Sequence, residues 1–145
     1  LFDPSEKVSR LEFLVCAMDA FGAGNIPSSS DAGFADTDAI PEKHRGYVSA
    51  AKSLGIVSGV NEGGRMYFRG DEEITYAQAA VILNRIIGLE SDGTKSLSAD
   101  VPEWAYRDVC ALTENGILDP YCNVSASVDR AGCAQIVCEA VRFFD

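Results

Sequence analysis

Apolar residues along this chain recur every three or four positions in several separate stretches. Leu11, Leu14, Val15, Met18 and Phe21 keep the i, i+3, i+4, i+7 spacing and predict a helix over 9–21. Ala79, Ile82, Leu83, Ile86 and Ile87 do the same over 75–88, and Cys133, Ile136, Val137, Ala140 and Val141 over 129–144. Two further helices are predicted, from Pro41 to Leu54 with Val48 and Ala51 inward, and from Pro102 to Asn115 with Trp104, Val109 and Leu112 inward. Both prolines suit a first helical turn, where a missing N–H costs nothing. Gly22, Gly55, Gly88 and Gly116 fall just past the predicted ends, where a left-handed residue closes the helix. The intervening "GNIPSSSDAG", "GVNEGGRMYFRGDEE" and "ESDGTKS" are rich in turn formers. The expected fold class is therefore all-α, with long loops holding only short 3-10 or extended pieces.

The helical stretches repeat as a set. "VSAAKSLGIVSG" aligns with "VCALTENGIL", placing Val48 on Val109, Gly55 on Gly116 and Ile56 on Ile117. "FAD" precedes the first of these and "SAD" the second. "FDPSEKVS" aligns with "FRGDEEIT", placing Phe2 on Phe68 and Val8 on Ile74. The phrase that opens three of the helices then appears as "VSRLEF", "ITYAQA" and "VDRAGC". The unit is helix, Gly-Ile turn, extended loop, second helix. Its limits divide one domain, 1–145, into the second half of a first repeat (1–30), a second repeat (31–90) and a third (91–145).

This ordered set resembles the S-layer homology (SLH) family, whose repeat runs approximately F-x-D, W-A, G-I-x-x-G, F-x-P, I-T-R-A-E. Asp100, Val101, Trp104, Ala105, Gly116 and Ile117 carry the likeness in the third repeat. Phe2, Pro4, Val8, Ser9, Arg10 and Glu12 carry it in the first, and Phe34, Asp36, Gly55, Ile56, Gly59, Phe68, Ile74, Thr75 and Ala77 in the second. The resemblance implies a pseudo-threefold helical prism that holds proteins non-covalently on the bacterial cell wall or S-layer. It implies an anionic secondary cell-wall polysaccharide as ligand, often pyruvylated. It also implies grooves between repeats, lined by the Arg of I-T-R-A-E, the Gly-Ile turn (Gly55, Gly116) and the Trp region (Trp104).

Composition narrows the chemistry. Across 145 residues the formal charge is −10, which argues against nucleic acid, because phosphate contacts need a basic stripe. No apolar run reaches the roughly 18–20 residues of a membrane span. The chain begins at Leu1 rather than Met, so it reads as a trimmed or mature fragment, and a missing leader says nothing of compartment. The five cysteines form no CxxC pair, and Cys16, Cys110, Cys133 and Cys138 fall in helical patterns that suit buried small hydrophobes. Cys122 lies in a loop.

The opening phrase divides into two jobs. Ser9 with Glu12, and Thr75 with Gln78, form capping boxes, and Asp129 caps its own helix, so none of these needs a ligand to explain it. Arg10 and Arg130 are different, because the positive end of a helix dipole disfavours a cation there. A guanidinium beside the free N–H groups of a helix start suits a carboxylate or phosphate, with a surface ion pair as the plainer alternative. Tyr76 replaces the middle Arg; it can stack on a sugar or donate a hydrogen bond. Lys43-His44 stands where Trp-Ala is expected, Asp119-Pro120 where the second Gly is, Cys122 where Phe is, and Gly132 where Glu is. The grooves are thus expected to be unequal.

Trp104 is assigned to the core, with a sugar platform as the alternative. His44 has no partner at metal-ligand spacing. Asp36-Thr-Asp38 and Asp71-Glu72-Glu73 lack the loop of a calcium site and read as solvated carboxylates. No nucleophile elbow, phosphate loop or Ser/His/Asp set is present, so neither an enzyme nor a cofactor nor a metal is expected. The reading is a cell-wall anchoring module that binds polysaccharide. The alternative is a degenerate module that mediates protein–protein contacts or homo-oligomerisation through its incomplete first repeat.

Overall fold

The computed structural model describes residues 3–23, 29–92 and 100–145. Phe2, the first half of "GNIPSSSDAG", most of "ESDGTKS", and the first two residues of "SAD" lie outside them. The described residues are helix-rich with one two-stranded sheet. They form two compact units, Ser9–Glu72 and a second made of Leu1–Val8 with Glu73–Asp145.

In the Ser9–Glu72 unit, α1 (Arg10–Ala20) packs on α2 (Glu42–Ser53). Leu11, Phe13, Leu14, Ala17 and Met18 of α1 are buried, as are Val48, Ala51, Phe34, Ile40, Ile56 and Phe68 of the same unit. Pro41 is the N-cap of α2, so this helix starts without a side-chain cap. A 3-10 turn spans Thr37–Ala39. The strands β1 (Val60–Glu62) and β2 (Arg65–Tyr67) then pair antiparallel, Val60 opposite Tyr67 and Glu62 opposite Arg65. The 3-10 turn and this hairpin are short pieces of the kind expected in the loops, and the strand pairing adds a small sheet to the helical frame. Both strands are short and largely exposed, so they carry no apolar alternation for a sequence reading to detect.

In the other unit, α3 (Tyr76–Ile87) packs on α4 (Glu103–Glu114), and α5 (Arg130–Phe143) completes the helices. Its core holds Ile74, Ala79, Leu83, Ala105, Val109, Leu112, Val124, Val128 and Ile136. Three aligned positions close a ring of backbone hydrogen bonds. The Val8 N–H donates to the Val128 carbonyl (2.9 Å), Val128 to Ile74 (2.8 Å) and Ile74 back to Val8 (3.0 Å). All three side chains are buried.

Two expectations about burial are corrected. Trp104 is 60% exposed, and Ala105 takes the inward place. At about 100° per residue, Trp104 lies about 140° round the helix from Val109, whereas Ala105, Val109 and Leu112 share a face. Cys16 and Cys138 are exposed, while Cys110 and Cys133 are buried. The apolar stripes of α1 and α5 are filled by Leu14, Ala17 and Met18 and by Ile136, Val137 and Ala140, which leaves Cys16 and Cys138 on the outer faces.

Candidate functional site

The start of α1 is fastened on every side. Ser9 Oγ accepts the Glu12 N–H (3.1 Å) and the Glu12 carboxylate accepts the Ser9 N–H (3.0 Å). The Arg10 N–H donates to the Glu72 carbonyl (2.9 Å) and the Leu11 N–H to that of Gly70 (3.1 Å). The same pattern holds at α3, where Tyr76 and Ala77 donate to Ala126 and Val124, and at α5, where Arg130 and Ala131 donate to Glu6 and Pro4. Thr75 and Gln78 form a second reciprocal box, and Asp129 accepts the Gly132 N–H at 2.7 Å. The N–H groups expected to help hold an anion are therefore committed to carbonyls of loops distant along the chain. The backbone supplies no anion cradle here, and any grip on an acid falls to side chains.

At Arg10 the guanidinium lies 5.5 Å above the Phe68 ring, and its Nε donates to the Phe68 carbonyl at 3.1 Å. Burial pulls its pKa below the ordinary arginine value, and the nearby Glu72 pulls the other way. An arginine remains charged under both influences. Among the described residues no hydrogen bond or ion pair engages its Nη groups. One edge is thus pinned while the fork remains available.

Arg130 is placed differently. Its Nη2 lies 3.3 Å from the Glu6 carboxylate in a half-exposed ion pair. Asp3 lies near it as well, held acidic first by hydrogen bonds from Ser5 and only slightly by Arg130.

Tyr76 sits against Gly132, where an added Cβ would run into its Oη. Burial, then Cys122, Asp129 and Cys133, raises its pKa, so the phenol keeps its proton as a donor. The backbone bonds pair Arg10 with Glu72, Arg130 with Glu6 and Tyr76 with Ala126. Where the arginine is lost, the acidic residue facing it is lost too.

Gly55 and Gly116 close α2 and α4 with φ of 75° and 74°. Each belongs to a paired-bond helix end: Ile56 donates to Ala51 (2.8 Å) and Gly55 to Lys52 (3.1 Å), while Ile117 donates to Leu112 (2.9 Å) and Gly116 to Thr113 (3.2 Å).

Trp104 borders a cavity of about 290 Å³ with Asn84, Glu90, Glu103, Arg107 and Asp108. Asn84 is buried and satisfied, donating to the Leu89 carbonyl (3.0 Å) and Asp108 (2.9 Å) and accepting from the Leu89 N–H (3.1 Å).

Two residues escaped the sequence reading. Asp36, read as a solvated carboxylate, accepts the N–H groups of Phe68 (2.8 Å) and Arg69 (2.9 Å) and so fixes the loop beneath Arg10. Its place in the F-x-D element was the available signal. Arg69 holds a left-handed φ of 61°, pairs with Glu62 and stacks 5.0 Å over Tyr67; no sequence signal marks it.

A comparison with curated proteins finds no match. Residues 33–80 match the family model described as the S-layer homology domain. That segment runs from the residue before Phe34, through α2, its Gly55 turn, the hairpin and the Asp36-held loop, into the first turns of α3. S-layer homology domains are in general cell-wall anchoring modules of the bacterial surface. The match supports an S-layer homology domain over residues 33–80, a type of module associated with cell-wall binding and the cell surface.

Proposed function

We propose that the chain is a non-catalytic anchoring module that binds an anionic secondary cell-wall polysaccharide, pyruvylated forms included, through the groove at Arg10. The observation that carries this reading is the state of the Arg10 guanidinium: desolvated, stacked on Phe68, tied through Nε, and with its Nη groups uncommitted among the described residues. Such a fork offers a sugar-borne carboxylate a charge-assisted, two-point contact at little ordering cost. The buried ring at Val8, Ile74 and Val128 joins the aligned positions of three repeats, taken as 1–30, 31–90 and 91–145. Several weak grooves together raise avidity, with Gly55, Gly116, Tyr76, Arg130 and Trp104 as further groove residues. Because exposed charges are screened beyond about 8–10 Å, local contacts rather than the net charge of −10 decide binding.

A second reading, protein–protein contact or self-association by a degenerate module, is favoured by one observation. The other two positions of the set, Tyr76 and Arg130, are engaged by Gly132 and Glu6 of the same chain. The readings separate in a pull-down against cell-wall preparations with and without their acidic polysaccharide. The first predicts capture that depends on the polysaccharide and is lost in an Arg10→Ala, Arg130→Ala chain. Capture indifferent to the polysaccharide contradicts it.

A further inference from the structure

We propose that Asp36 is a positioning residue for the acid-binding fork of Arg10, acting through Phe68. The inference rests on the reading of Arg10 as the group that meets the ligand, and adds a residue that never touches it.

The chain of contacts is short. One carboxylate oxygen of Asp36 accepts the Phe68 N–H (2.8 Å) and the other accepts the Arg69 N–H (2.9 Å). The Phe68 carbonyl accepts the Arg10 Nε–H (3.1 Å), and the buried Phe68 ring lies 5.5 Å from the guanidinium. The Phe68 carbonyl and the Arg69 N–H belong to one planar peptide unit, so a carboxylate holding that N–H fixes where the carbonyl points. Both groups that hold Arg10 therefore belong to the residue that Asp36 grips.

The rest of "FAD" grips the same segment. The Ala35 N–H donates to the Met66 carbonyl (2.8 Å), and the Phe34 ring lies 5.7 Å from that of Phe68. This grip opposes a cost, because Arg69 sits at a left-handed φ of 61°, a region that residues other than glycine enter reluctantly. Without the carboxylate, an ordinary φ at Arg69 competes, and adopting it turns the Phe68 carbonyl away from Arg10. The clip also accompanies the arginine rather than the repeat. In the loop facing Tyr76, the Cys122 N–H donates to the Asp119 carbonyl instead (3.0 Å). Asp100, which ends "SAD" as Asp36 ends "FAD", makes no hydrogen bond among the described residues.

Asp36→Asn keeps the shape of the side chain and sets an amide donor against one of the two N–H groups. Two readouts separate positioning from bulk stability, on whole chains shown to be folded by circular dichroism. The first needs no ligand: solvent exchange of the Arg10 Nε–H, followed by NMR, should quicken about tenfold in Asp36→Asn. The second is calorimetry against purified acidic wall polysaccharide, where Asp36→Asn should bind about tenfold more weakly than the native chain. Arg10→Lys keeps the charge but has no Nε–H to aim, so in that background the same change should alter affinity less than about twofold. Unchanged exchange, unchanged affinity, or an equal loss in both backgrounds each overturns the proposal and leaves the Arg10 groove standing. If Arg10→Ala binds the polysaccharide as the native chain does, the groove reading falls, and the role of Asp36 in it falls too.

Discussion

The phenol of Tyr76 occupies the space that a side chain at Gly132 would need. Both residues depart from the repeat pattern, Tyr76 where the other phrases have arginine and Gly132 where the first has Glu12 and the second Gln78. The structure makes them one change, because the ring fits only where position 132 has no Cβ.

A double-mutant cycle follows. Gly132→Ala should lower stability by about 1 kcal/mol, the scale of overpacking against a half-buried ring. In a Tyr76→Ala background the same change should be neutral or stabilise by about 0.5 kcal/mol, as alanine does for glycine in a helix. Chemical denaturation of the four chains gives the coupling. Equal effects in both backgrounds would show the residues to be independent.

Gly55→Ala and Gly116→Ala should each cost about 1–2 kcal/mol, the penalty for a left-handed backbone with a Cβ. No atom lies within 4 Å of an added Cβ at either position, so the cost is purely conformational. Asparagine, which tolerates this backbone region, should cost less. A loss from asparagine equal to that from alanine would point to a missing contact instead.

Asp36→Ala should destabilise the Ser9–Glu72 unit by roughly 1.5–3 kcal/mol, since a carboxylate holding two backbone donors is removed. Amide exchange at Phe68 and Arg69 should rise well above that of neighbouring loop residues. Unchanged protection there would mean that the loop is held by other means.

His44 is kept below the ordinary histidine pKa by burial first and Lys43 second, with Asp19 opposing. Its ring stands edge-on to Tyr47, 5.8 Å between centroids. The unfolded chain therefore takes up the proton more readily than the folded one. The stability tied to this residue is complete above about pH 6.5 and is lost as pH falls through the lower folded value. Urea midpoints at about pH 7.5 and pH 5.5 should fall more in the native chain than in His44→Gln. Parallel loss in both would remove His44 from the account.

Much of the helical frame was legible in sequence. Periodic apolar residues set the faces, and Gly22, Gly55, Gly88 and Gly116 marked ends that the structure closes with left-handed backbone. The hairpin was hidden because "VNEGGRMY" is short, polar and solvent-facing, so its pairing leaves no pattern. Trp104 was misplaced because residue type was allowed to outweigh helical phase. The links between segments distant along the chain (Arg130 to Glu6, Arg10 to Phe68, Tyr76 to Gly132) depend on which loops meet which helix starts, and spacing along the chain does not encode that.

The central claim is tested most directly by calorimetry of purified acidic wall polysaccharide against the native chain, Arg10→Ala and Arg130→Ala, each confirmed folded. Removal of a charge-assisted contact worth about 1.5–3 kcal/mol predicts at least about tenfold weaker binding for Arg10→Ala. Arg130→Ala, whose guanidinium already faces Glu6, should change affinity much less. Full affinity in a folded Arg10→Ala chain would contradict the account.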